Sequence, residues 1–249
     1  MKKDTPEEES SLKFINIILK RSKKMDSNNC IPRLLGAAFF GVAVLSIAQM
    51  YLSLFTLLSG SISDSFVNIS NNLTQMRISI LLALFTSVGI VVLAVLLFII
   101  LHKQNKTIAL VALGLYLAEA IVLAVSKIGN FALIPLSLEY VKAGPPDSSN
   151  FQILGTLFFG VDRWGDTIHM LFFCLGGILW YYLFYRSKYI PRILSVWGIL
   201  AVSLALIGTL LIIFDFEPLI ILVIPNGLFE FTIGIWLMLK GIRPYKIES

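Results

Sequence analysis

The sequence predicts an all-α, polytopic membrane protein with six transmembrane helices. A short interfacial helix precedes the first span and a half-length apolar segment precedes the fourth. Three observations carry that class. Hydrophobic residues make up 57% of the 249 and charged residues 14%, where a soluble domain has about 45–50% and about 25%. The apolar residues fall in long unbroken blocks, without the 2- or 3.6-residue alternation of a soluble core. Lys and Arg gather in short clusters between those blocks, so the net charge of +5 follows membrane topology and does not call for a nucleic-acid partner.

The chain opens on a polar stretch, 1–11, with Glu7, Glu8 and Glu9. It lacks the basic-then-apolar pattern of a signal peptide, so the first span is expected to act as its own insertion signal. Residues 12–25 read as an amphipathic helix. Lys13, Lys20, Lys23 and Lys24 lie on one stripe and Leu12, Ile15, Ile18 and Leu19 on another, a pattern suited to anionic headgroups. The tail, 1–32, is therefore expected to be cytoplasmic, and 33–249 to form the transmembrane domain. The two cysteines, Cys30 and Cys174, do not form a disulfide framework.

A spanning helix needs about 20 mostly apolar residues. Six stretches qualify: 34–58, 78–101, 107–126, 167–185, 193–214 and 218–239. The run 151–161 is about half that length and reads as an interfacial or re-entrant piece. With the N-terminus inside, segments 1–33, 102–106, 186–192 and 240–249 hold 16 of the 20 Lys and Arg. The outer side keeps Arg77, Lys127, Lys142 and Arg163. This asymmetry supports six spans with both termini cytoplasmic. A seventh span over 151–161 would put Arg186–Arg192 outside. The Gly144-Pro145-Pro146-Asp147 run ends any helix that precedes it.

Several strings resemble a known family: Arg33-Leu34-Leu35-Gly36, Glu139-Tyr140-Val141-Lys142-Ala143-Gly144 and Tyr181-Tyr182-Leu183-Phe184-Tyr185-Arg186-Ser187. So do Pro191-Arg192-Ile193-Leu194-Ser195-Val196-Trp197-Gly198 and the ending from Leu228-Phe229-Glu230 to Leu239-Lys240-Gly241. The chain is similar over about 33–242 to the prokaryotic multi-pass proteins called domain of unknown function 4386. That resemblance implies a bacterial or archaeal plasma membrane. It attaches no activity to any residue.

Function has to be sought in polar groups placed in an apolar solvent. A charge near the bilayer centre costs at least about 2.5–3.5 kcal/mol. Glu119 and Glu230 each fall twelve residues into their spans, about 18 Å deep at 1.5 Å per residue. The two spans run in opposite directions, which leaves the pair about 6 Å apart in height. The functional reading is a proton- or cation-linked site. The structural one is a pair of acids hydrogen-bonded across helices or to same-face neighbours, Tyr116 for Glu119 and Asn226 for Glu230. Pro225 is expected to kink the sixth span and free the carbonyl of Ile221.

A second cluster, Asp162, Arg163, Asp166 and His169, lies at the outer end of the fourth span. Asp162, Asp166 and His169 are spaced i, i+4, i+7 on one face. They could hold Zn²⁺ or Mn²⁺, with Glu119 a further ligand. The plainer reading pairs Arg163 with Asp166 and leaves His169 as an interfacial hydrogen-bonder. No phosphate loop, cysteine pair or nucleophile elbow occurs, so no cofactor is implied. Trp180 and Tyr181 are grouped with the other Trp and Tyr as interfacial anchors. Gly155, Gly160, Gly176 and Gly177 are expected to permit close helix approach.

The leading reading is non-enzymatic: a small solute or ion bound or moved through a polar pocket opening outward between the third, fourth and sixth spans. The alternatives are a metal-dependent hydrolase or transferase in the membrane, and an accessory protein whose buried acids only specify packing.

Overall fold

The structure, a computed structural model, describes residues 30–53, 61–144, 148–216 and 220–242. All of the regular structure among the described residues is helical. In chain order it comprises α1 (Cys30–Ser53), α2 (Ile62–Asn71), α3 (Leu73–Leu101), α4 (Lys106–Ala143), α5 (Ser148–Ser187), α6 (Arg192–Ile213), a 3₁₀ turn (Ile220–Leu222) and α7 (Ile224–Lys240). Five helices, α1, α3, α4, α5 and α6, are long and apolar enough to cross a membrane. The expected amphipathic helix over 12–25 lies outside the described residues.

Three differences from the sequence reading have physical causes. The run 151–161 is not a separate interfacial piece. It forms the first half of α5, which continues through Arg163-Trp164-Gly165 without a break. The expected outer loop over 127–166 is mostly helix, because α4 continues past Lys127 to Ala143 and ends at Gly144, whose φ of 77° suits a residue without Cβ. At 38 and 40 residues, α4 and α5 are about 57 and 60 Å long, roughly twice the hydrocarbon thickness. Finally, Pro225 does not kink a long sixth helix. It occupies the first turn of α7, where its missing N–H has no intrahelical acceptor to lose.

The loops are ordered by local caps. Asn105 accepts a hydrogen bond from the Ile108 N–H at 3.0 Å and starts α4. Ser61 accepts one from Asp64 N–H at 3.1 Å and starts α2. The ends of the helices beside 102–106 and 186–192, together with Lys240, form one basic end of the bundle. The other end carries α2.

α2 packs on the distal halves of α4 and α5. Phe66 at its centre stacks near Tyr140, 5.1 Å between ring centroids, and fills the space left by Gly155. With Ile69, Met76, Ile80, Leu133 and Ile134 it forms a core separate from the main one.

The main core runs along the transmembrane-length part of the bundle, with Leu97, Tyr116, Trp180, Tyr181, Phe184 and Phe229 fully buried. Trp180 and Tyr181 are thus core residues and not interfacial anchors, whereas Tyr182 and Tyr185 remain exposed.

Helix neighbours follow chain order. α3 packs on α4, α4 on α5, α5 on α6 and α6 on α7. α7 in turn meets α1 at a close crossing where a Cβ on Gly36 would lie 2.5 Å from the Met238 backbone nitrogen and 2.7 Å from the Gly234 carbonyl. α1 also approaches α3, where Gly89 faces Val42. The five long helices and α7 therefore close into a ring, with small residues at several of its close contacts. Gly176 lies against Tyr116, while Gly160 faces open space and permits no approach. α4 and α5 also meet closely at a glycine the sequence reading passes over: a Cβ on Gly165 would collide with Ser126.

Candidate functional site

Two polar constellations interrupt the apolar bundle. The first is built where α4, α5 and α7 face one another. Tyr116 and Glu119 are one turn apart on α4, and both are buried; Glu119 is 3% exposed. Asn226 and Glu230 are one turn apart on α7, and the Asn226 amide donates to Glu230 Oε1 at 3.2 Å. Tyr181 enters from α5, opposite Phe229.

The two carboxylates lie within electrostatic reach of each other. The hydroxyls of Tyr116 and Tyr181 lie within reach of both carboxylates. Gly177 lies beside both rings, and the tight approach there is to α6, where a Cβ would come within 3.0 Å of Val202 Cγ2.

What distinguishes this cluster is how little of its hydrogen-bonding capacity is used. Glu119 Oε2 and Asn226 Oδ1 are buried without a partner, and the Tyr116 and Tyr181 hydroxyls have none beyond each other. Each such group costs about 1–3 kcal/mol unless something satisfies it. Two tyrosine hydroxyls and one amide thus surround two carboxylates in a buried polar cluster whose hydrogen-bonding capacity the protein does not fill. The pairings expected from sequence are half realised. Asn226 bonds to Glu230, but the Tyr116 hydroxyl turns to Tyr181 and Glu119 Oε2 has no partner.

The second constellation joins α4 to α5 further toward the α2 end. Lys127 is 1% exposed, and its ammonium donates to Asp162 Oδ1 at 2.7 Å and Asp166 Oδ1 at 2.9 Å. Asn130, the next turn of α4, donates to the same Asp162 oxygen at 3.1 Å. Helical spacing explains the fit: Lys127 and Asn130 share one face of α4, and Asp162 and Asp166 one face of α5. Asp162 is largely enclosed at 14% exposed, while Asp166 stays half open at 46%.

The expected Arg163–Asp166 pair does not form. Lys127 takes that carboxylate, and Arg163 is exposed with no ion pair among the described residues. His169 Nε2 lies 3.9 Å from Asp166 Oδ1, and its Nδ1 is buried without a partner.

The metal reading loses its geometric basis here. The two aspartates converge on an ammonium rather than on open space, and among the described residues no three His, Cys, Asp or Glu side chains come together as ligands.

A pocket does lie in the bundle, but its walls differ from those expected. A cavity of about 970 Å³ lies between α1, α5 and α6, with Val223 at its edge. Asp162, Arg163, Asp166 and His169 line it, and Glu119 and Glu230 do not.

Lys127 and Tyr181 are the site residues that sequence reasoning missed. The sequence reading ends the third span at residue 126 and leaves Lys127 on the outer side. The signal was the apolar sequence that resumes beyond it, together with the matching acid pair on the next helix. Tyr181 was hidden in an aromatic run, yet Cys174, Gly177 and Tyr181 form an i, i+3, i+7 stripe that marks a packed face.

Residues 34–241 match a protein family described as Domain of unknown function (DUF4386). Neither the comparison with curated proteins nor that with solved structures returns a match.

Proposed function

Because the chain belongs to the family described as Domain of unknown function (DUF4386), whose membership fixes no chemistry, we propose its role from its own polar core. It is a six-span membrane protein of a prokaryotic plasma membrane that binds and moves a proton or small cation between Glu119 and Glu230. The observation that carries this reading is the buried cluster of two carboxylates, two tyrosine hydroxyls and one amide on α4, α5 and α7, in which Glu119 Oε2 and Asn226 Oδ1 have no partner. Oxygen-rich shells suit protons, water and hard cations. A shell left unsatisfied by the protein is available to such a guest.

The sixth span is α7 with the turn that precedes it. Seventeen α-helical residues and three in the 3₁₀ turn rise about 26 and 6 Å, together close to the 30 Å hydrocarbon core. An even number of spans keeps both termini on one side, and the basic end of the bundle is then cytoplasmic. A metal-dependent hydrolase is the weaker reading, since Lys127 occupies the space between the candidate acidic ligands.

The test is proton movement in liposomes. Reconstituted wild-type chain with a pH-sensitive dye inside is expected to shift the internal pH when a Na⁺ or K⁺ gradient is imposed. Glu230→Gln keeps the volume and the hydrogen bond from Asn226 but removes the charge, and it is expected to slow that shift at least about tenfold. An unchanged rate in a correctly folded Glu230→Gln protein would remove Glu230 from the function.

A further inference from the structure

The cavity beside α5 has a charge pattern that points to its own ligand. Asp162 and Asp166 bring two negative charges to the wall and Lys127 brings one positive charge from behind it. One negative charge is left over. It resides on the open side, because Asp162 is enclosed and held by both Lys127 and Asn130, whereas Asp166 gives one oxygen to Lys127 and remains half exposed. Arg163, three residues earlier on the same helix, faces the cavity with no counter-ion among the described residues. The wall thus presents one carboxylate and one guanidinium whose Cβ atoms are about 5–6 Å apart, the spacing of i, i+3 positions.

A simple cation would meet Arg163 and a simple anion would meet Asp166. Only a ligand that carries both charges a few ångströms apart satisfies the two together. Guanidinium is the side chain best suited to a phosphate or carboxylate, which it grips with two parallel N–H donors. The carboxylate of Asp166 suits an ammonium.

Away from this charged wall, to which His169 and Thr167 also belong, the lining is largely apolar: Met50 from α1, Phe159 and Met170 from α5, Ile212 from α6 and Val223. Gln49 and Thr209 add neutral polar contacts from the opposite helices. Its volume, about 970 Å³, lies at the upper end of the range of small-molecule sites, about 300–1,000 Å³, so it admits an apolar body attached to the charged head.

We propose that this cavity binds a zwitterion with an apolar body, its anionic group on Arg163 and its ammonium on Asp166. A phosphoethanolamine lipid and a free apolar amino acid share that chemistry. The site stands apart from the Glu119–Glu230 pair, and its occupancy is read without any ion flux.

The test uses the full chain in a nonionic detergent and measures binding by native mass spectrometry. The zwitterionic probes are lysophosphatidylethanolamine and leucine. Two comparators each lack one charge: lysophosphatidylglycerol has no ammonium and dodecyltrimethylammonium has no anion. We expect at least one zwitterion to bind about tenfold or more tightly than both comparators. Arg163→Gln and Asp166→Asn are each expected to erase that preference. Both leave Lys127 its bond to Asp162, and a matching thermal melt shows that the fold is intact. A preference for the lysolipid identifies a membrane lipid as the source, and one for leucine identifies a dissolved solute. The proposal is overturned if neither zwitterion outbinds the comparators, or if folded Arg163→Gln and Asp166→Asn proteins keep the wild-type preference.

Discussion

Lys127→Met is expected to lower the stability of the folded chain by about 3–5 kcal/mol, the usual cost of breaking a buried ion pair from one side. Methionine keeps the length of the side chain but removes the charge. Asp162 would then face Asp166 with only the Asn130 amide to satisfy it, and two carboxylates in one site repel. The loss should lie nearer 3 than 5 kcal/mol, because Asp166 is 46% exposed and water screens its share. Thermal unfolding in detergent measures it. A second variant separates charge from packing: with Asp162→Asn added, the penalty should shrink, since one of the stranded charges is gone. A Lys127→Met protein that melts with wild type would mean that the triad holds nothing together.

Glu119→Met should move stability the other way. Glu119 is buried, and its Oε2 has no partner. Replacing it with an apolar side chain of similar volume removes a group whose burial costs about 1–3 kcal/mol. We expect a gain of that order, together with loss of the cation-driven pH shift in liposomes. Stability and activity would then part company at one residue, as they do where a protein keeps a costly group for function. If Glu119→Met is less stable than wild type, the carboxyl group is a packing element and the accessory reading gains.

The contrast between these two sites shows what could be read from the chain. Helix identity was legible because lipid imposes long apolar blocks: 78–101 reappears within α3 and 193–214 nearly coincides with α6. The nearness of the two acids follows from the packing: Glu119 and Glu230 lie within electrostatic reach of each other, although α7 starts at Ile224 and not at the position from which the depth of Glu230 is counted. Helix ends were harder. A charged residue was taken to close a span, yet Lys127 sits in mid-helix because two aspartates on α5 neutralise it there. The same assumption set 151–161 apart from the fourth span and so broke α5 in two. The start of α7 was misplaced for a different reason. Proline disrupts a helix interior but is well accommodated in a first turn, and only the neighbouring 3₁₀ turn decides which role Pro225 takes.

Facing was the least legible property. Nothing in the spacing of Asp162, Arg163, Asp166 and His169 separates a metal site from a salt bridge, because the deciding partner lies 35 residues earlier in the chain. Likewise Trp180, Tyr181 and Tyr182 are adjacent in sequence, yet two are core and one is exposed. A single turn of helix assigns them, and only the packing of α5 against α4 and α7 fixes its rotation.

Direct binding to the buried carboxylates is the decisive measurement. Na⁺ or K⁺ is added to the purified wild-type chain in weakly buffered detergent solution, and released protons are counted with a pH indicator. If the cation takes a place shared by Glu119 and Glu230, proton release should saturate with cation concentration in wild type and vanish in the folded Glu119→Gln, Glu230→Gln double variant. Equal release from both proteins, or saturable release from neither, would contradict a proton- or cation-binding site between those two helices.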